Sequence, residues 1–117
     1  MELINYLFAA GSIFFGLFGW LAPKYTMETV DLRPGDTSMG PSEIRAASGA
    51  LFVGLGVGAF LIGTPEAYVM IGFAWGFAGL GRLTSLILDG QTRKKWTFFA
   101  IEILVGIVSI YGNLIAG

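Results

Sequence analysis

The 117-residue chain has no cysteine and no histidine, and only 13% of its residues are charged. Without cysteine there is no disulfide and no thiolate nucleophile, and without either residue the usual ligands of transition metals are missing. We therefore expect no metal, no cofactor and no catalytic residue, and a protein that is not an enzyme. The formal net charge of −1 also gives no indication of nucleic-acid binding.

What the chain has instead is apolar sequence. It is 55% hydrophobic, with a mean hydropathy of +0.73, whereas soluble domains carry about 25% charged residues. Four apolar runs lie at about residues 3–22, 44–63, 67–88 and 96–116, each close to the ~20 residues that cross a bilayer as a helix. This predicts an all-α membrane protein, with residues 1–117 forming one domain of four antiparallel transmembrane helices in a compact bundle with glycine-rich packing.

The connections between the runs carry turn and capping residues. A polar loop occupies about residues 24–41 and contains the turn sequence Arg33-Pro34-Gly35-Asp36, which allows a short strand pair or a surface-lying segment. Ser42 is the expected N-cap of the second helix. The sequence Gly63-Thr64-Pro65-Glu66 predicts a tight hairpin between the second and third helices, and Asp89-Gly90 is expected to end the third.

The basic residues lie on one side of the predicted bundle. The first and third connections share that side, and the opposite side holds only Glu2 and Glu66. The positive-inside rule then predicts a bacterial inner-membrane protein whose long loop is cytoplasmic and whose two termini lie outside the cytoplasm. The residues that decide this are Lys24, Arg33, Arg45, Arg82, Arg93, Lys94 and Lys95.

Glycine is abundant, with 18 residues, and most of them fall inside the apolar runs. Small residues allow helix backbones to approach closely in lipid. The pattern indicates either tight packing within one bundle or an additional face for a homo-oligomer. The candidate packing residues are Ala46, Ala50, Gly54, Gly58, Gly72, Gly76 and Gly106.

Two ionisable residues, Arg82 and Glu102, lie within the third and fourth runs. Each is about 9 Å from the end of its run at 1.5 Å per residue, so both reach the same depth on adjacent antiparallel helices. A charge inside a membrane is costly and rarely unpaired, so we expect the two to pair. Together with polar residues on the same side they form the predicted charged layer: Glu43, Arg45, Arg82, Ser85, Asp89 and Glu102.

The residue types of the charged layer leave four interpretations open. The layer is an ion-pair network that fixes helix register, a site for an anionic or zwitterionic head group, a proton or solute pathway through Glu102, or a catalytic site. The first is favoured because no histidine, cysteine or metal-ligand set accompanies the carboxylates.

Ordered short motifs carry a family resemblance across nearly the whole chain. These are Ser-Glu-Ile-Arg-Ala-Ala-Ser-Gly at residues 42–49, the glycine-rich stretch at 54–58, Gly-Arg…Asp-Gly at 81–90, and the lone Glu102. Together they resemble a bacterial family of small four-helix membrane proteins, domain of unknown function 4345. The resemblance implies the same helix count and one shared site made of Glu43, Arg45, Arg82, Asp89 and Glu102, and it implies no activity.

These observations favour a non-enzymatic integral membrane protein that acts as an accessory, assembly or interaction module through helix packing. The alternative is a small carrier or a protein that binds lipid or another hydrophobic ligand through the charged layer. The expected partners are membrane lipids and either further copies of the chain or a larger membrane complex.

Overall fold

The computed structural model describes residues 1–116, and within them the chain is helical apart from short connections and has no strand. Four of the five helices are long and apolar enough to cross a membrane, which confirms an all-α fold with four membrane-length helices. The helices are α1 (Glu2–Leu21), α2 (Pro23–Thr29), α3 (Met39–Ile62), α4 (Pro65–Leu88) and α5 (Arg93–Ile115). The chain divides into two compact units. The first unit is residues 6–61, and the second unit is residues 62–116 together with residues 1–5.

In the first unit, α1 and α3 run antiparallel with their backbones in close contact. A Cβ added at Gly56 would lie 2.5 Å from the carbonyl oxygen of Ala9, and one added at Gly16 would lie 2.6 Å from that of Gly49. Only glycine leaves room for such an approach. In lipid, helix association has no hydrophobic driving force, and the dispersion contacts of closely packed backbones stabilise it instead.

A π-helical turn over Ala46–Ala50 interrupts α3. Such a turn inserts one residue, and the residues after it are rotated about the helix axis relative to a regular helix. It brings Gly49 against the backbone of Gly19 and Trp20 at the end of α1. The four-residue spacing from Ala46 to Gly58 therefore does not mark the contact face of α3 with α1, because that face carries Gly49 and Gly56 instead.

The loop of the first unit contains the short helix α2, in place of the strand pair considered from the sequence. Pro23 occupies its first turn, and Pro23, Thr26 and Met27 are buried. Met27 contacts Gly40 at the start of α3, where a Cβ would lie 3.5 Å from its methyl carbon. The expected N-cap at Ser42 is wrong, since α3 already begins at Met39 and Ser42 lies inside it.

In the second unit, α4 and α5 form an antiparallel pair joined by a short connection. A Cβ at Gly106 would lie 2.6 Å from the Cα of Gly76, so the two backbones meet at this level. Gly72 packs against Ser109, and Gly79 packs against Ile103.

The ends of α4 agree closely with the sequence signals. Gly63 has φ of 73° and Gly90 has φ of 98°, conformations that glycine adopts without a Cβ clash. Thr64 is the N-cap of α4, and Pro65 is its first residue. By contrast, α5 begins at Arg93, three residues before the expected Trp96, because the Thr92 side chain accepts a hydrogen bond from the Lys95 amide.

Candidate functional site

Arg82 and Glu102 form a two-pronged ion pair between α4 and α5. Arg82 Nε donates to Glu102 Oε1 and Nη2 donates to Oε2, each over 3.1 Å. The antiparallel contact of the two helices positions them, because a Cβ added at Gly79, three residues before Arg82, would lie 3.4 Å from the Glu102 Cβ. A fork-to-fork pair of this kind is among the strongest side-chain hydrogen-bond arrangements in proteins.

The two partners differ in exposure. The Glu102 side chain is 11% exposed and the Arg82 side chain is 34% exposed. The guanidinium also lies over the Phe98 ring, with 5.3 Å from Cζ to the ring centroid, where the negative face of the ring attracts it. Both carboxylate oxygens thus accept from Arg82, and the buried charge is compensated.

Ser85 in α4 and Asp89, which follows α4, do not join the ion pair of Arg82 and Glu102. Asp89 comes directly after the last residue of α4, is exposed, and donates its amide to the Ser85 carbonyl over 2.8 Å. Within the described residues, the partner of Glu102 is Arg82 and not a residue of this helix end.

The other two members of the predicted charged layer, Glu43 and Arg45, belong to the first unit, and both are exposed. Arg45 Nη1 donates to the carbonyl oxygen of Trp20 over 2.7 Å. Because α1 ends at Leu21, its last carbonyls lack an intrahelical donor, and Arg45 supplies one. Arg45 thus contacts a neutral group, whereas Arg82 contacts a carboxylate.

A second polar contact inside the apolar helices joins Asn5 to Asn113. Asn5 Nδ2 donates to Asn113 Oδ1 over 2.7 Å, and Asn113 Nδ2 returns a bond of 2.8 Å. Asn113 also donates to the Ser109 carbonyl. Sequence reasoning missed this pair, although the positions of Asn5 near the start of the first run and Asn113 near the end of the last run could have indicated a shared depth.

The candidate packing residues fall into two groups. Gly72, Gly76 and Gly106 lie between α4 and α5 at close contact, whereas a Cβ at Gly54 or Gly58 would meet no atom within 4 Å. Gly54 is exposed, as is Ala46, and Ala50 and Gly58 are half-buried. At Gly54 and Gly58, the surface of α3 therefore has room for an additional side chain or for another helix.

The pair α4–α5 also carries an apolar groove with a volume of about 390 Å³. It is lined by residues such as Gly76, Phe77, Ile103 and Tyr111, and neither Arg82 nor Glu102 contributes to it. Within residues 1–116, no group of three acidic side chains could hold a metal ion. The interactions that Arg82 and Glu102 make with each other are an ion pair and two hydrogen bonds.

Comparison with known proteins gives a family but no activity. The family model described as "Domain of unknown function (DUF4345)" matches residues 1–112. No curated protein and no solved structure matches the chain. With nearly its whole length covered, the chain belongs to the DUF4345 family, as the resemblance of its motifs predicted.

Proposed function

We propose that this protein is a non-enzymatic integral membrane protein that acts by associating with another transmembrane helix, as an accessory or assembly module. We place it in the bacterial inner membrane with both termini outside the cytoplasm. The observation that supports the association is the pair of small residues Gly54 and Gly58 on α3, which the contact between α1 and α3 in the first unit does not use.

Some glycines of α1 and α3 lie in the contact between these two helices, and others lie outside it. Gly16, Gly19, Gly49 and Gly56 hold α1 and α3 together, so glycine is required there by the fold. Gly54 and Gly58 lie one turn apart, and a Cβ would fit freely at either. The large side chains of Leu51, Val57 and Leu61 are exposed on the same helix. Glycines between bulky residues form a shallow depression into which a second helix backbone can pack.

The association is tested by filling that depression. Gly54→Leu and Gly58→Leu are each expected to weaken self-association or partner capture by about tenfold or more, since overpacking costs about 1–3 kcal/mol and 1.4 kcal/mol is tenfold in affinity. Native mass spectrometry and co-purification in mild detergent measure the effect.

Gly11→Leu is the matched control, because Gly11 is also exposed on a membrane-length helix and a Cβ there meets nothing within 4 Å. It should leave association unchanged. A wild-type protein that is monomeric and without a partner under these conditions would contradict the proposal, as would equal losses in the control.

The carrier alternative has less support. It needs Glu102 to exchange its partner for a proton or a solute, whereas both of its oxygens already accept hydrogen bonds from Arg82. The apolar groove of the same helix pair does not include either residue.

A further inference from the structure

Arg45 carries a positive charge that no carboxylate of the first unit, residues 6–61, neutralises. Its Nη1 donates to the Trp20 carbonyl over 2.7 Å, and the ion pair that the described residues form, Arg82 with Glu102, lies in the second unit. Glu43 is two residues away, and residues at that spacing do not face each other on a helix. The guanidinium of Arg45 is therefore fixed in position while its remaining donors and its charge are available.

The position of Arg45 matches that of a lipid head group. Its anchor, Trp20, lies one residue before the end of α1, and Tyr25 lies in α2 with its ring 5.8 Å from that of Phe18. Both Trp20 and Tyr25 are exposed, and exposed tryptophan and tyrosine near the ends of membrane helices lie at head-group level. Lys24, exposed in the first turn of α2, adds a second cation four residues after Trp20.

The local backbone is built to hold Arg45 there. The π-helical turn Ala46–Ala50 begins directly after it, and Gly49 within that turn contacts the backbone of Gly19 and Trp20. Gly49 thus packs against the end of α1, and Arg45 donates a hydrogen bond to it. π-Turns are rare and are often found at functional sites, and Arg45 lies directly before this one.

We propose that Arg45 binds the phosphate of an anionic phospholipid at the boundary formed by the end of α1, α2 and the start of α3. Arg45 would donate its unused N–H groups to the phosphate oxygens while Nη1 keeps the Trp20 carbonyl. Lys24 would add attraction for a head group with net negative charge. The inference does not depend on the association through Gly54 and Gly58.

Native mass spectrometry of the purified full chain tests the site, with phosphatidylglycerol and phosphatidylcholine of identical acyl chains as probes. The wild-type protein is expected to retain phosphatidylglycerol in preference to phosphatidylcholine. Arg45→Gln should reduce the retained phosphatidylglycerol about tenfold, because it removes charge-assisted hydrogen bonds to the phosphate. The mean residue ellipticity of the variant must match the wild type for this comparison.

Arg33→Gln is the matched control, since Arg33 is an exposed arginine of the same unit, in the connection between α2 and α3. It should change retention by less than about twofold, because the site rests on a fixed guanidinium and not on net charge. Equal losses in both variants, or no preference in the wild type, would overturn the proposal. Millimolar inorganic phosphate should fail to displace the lipid, and displacement would assign the site to a free anion instead.

Discussion

Among single residues, the ion pair of Arg82 and Glu102 has the clearest energetic consequence. Removing Arg82 leaves a buried carboxylate without donors, and removing the charge of Glu102 leaves a partly exposed guanidinium without its acceptor. We expect Arg82→Gln and Glu102→Gln each to lower the free energy of unfolding by about 1–3 kcal/mol. This is below the ~3–5 kcal/mol for fully buried pairs, because Arg82 is one-third exposed.

The double variant distinguishes pairing from two independent effects. Arg82→Gln combined with Glu102→Gln should cost less than the sum of the single changes, with a coupling of about 1 kcal/mol or more. Unfolding of purified protein in mixed micelles, monitored by helix content, provides the measurement. Simple additivity would mean that the two residues act separately despite their hydrogen bonds.

Residue chemistry also explains why the sequence allowed a partner to be predicted for some members of the charged layer and not for others. Arg82 and Glu102 were predictable because each lies in an apolar run at equal depth, where an unpaired charge is costly. The Trp20 carbonyl as the partner of Arg45 was not predictable, since any residue can offer a backbone acceptor and the sequence pattern does not show which one is unsatisfied.

At the level of helices, contact between α4 and α5 depends on glycine where the backbones meet. Gly106→Ala adds only a Cβ, but that atom would lie 2.6 Å from the Cα of Gly76. The helices must separate, so we expect a loss of about 1–3 kcal/mol in the free energy of unfolding. Gly81→Ala is the matched control on α4, because its Cβ meets nothing within 4 Å. It should stabilise by up to about 1 kcal/mol through helix propensity.

The same micelle unfolding experiment checks both alanine variants. If Gly106→Ala were as stable as Gly81→Ala, the close approach of α4 and α5 would not be required for stability.

The limits of helix prediction here have identifiable causes. Helix existence and the ends of α4 were predictable from apolar length and from Gly63, Pro65 and Gly90, whose backbone preferences are local. The contact face of α3 was not, because the π-turn at Ala46–Ala50 shifts the register by one residue and depends on the packing of Gly49 against α1. Four-residue spacing assumes a regular helix, and that assumption fails at this turn.

For the whole molecule, the uneven distribution of charge is the basis for the proposed orientation. Along the chain, every lysine and arginine lies in the connection after α1, in the connection after α4 or in the adjoining ends of the helices, whereas Glu2 and Glu66 lie at the starts of α1 and α4. Cationic residues near the ends of membrane helices remain on the cytoplasmic side during insertion. Such a complete bias predicts one orientation and not a mixture of two.

The absence of cysteine makes this orientation directly measurable, because any introduced thiol is the only one in the chain. We expect a membrane-impermeant maleimide to label the Glu2→Cys variant in intact spheroplasts. The Asp36→Cys variant, altered in the exposed loop before α3, should react only after the membrane is permeabilised. The reverse pattern would place the loop outside, and equal labelling of both would indicate dual insertion. The reverse pattern would also move the lipid site at Arg45 away from the anionic cytoplasmic leaflet, because that site lies on the same side as Asp36.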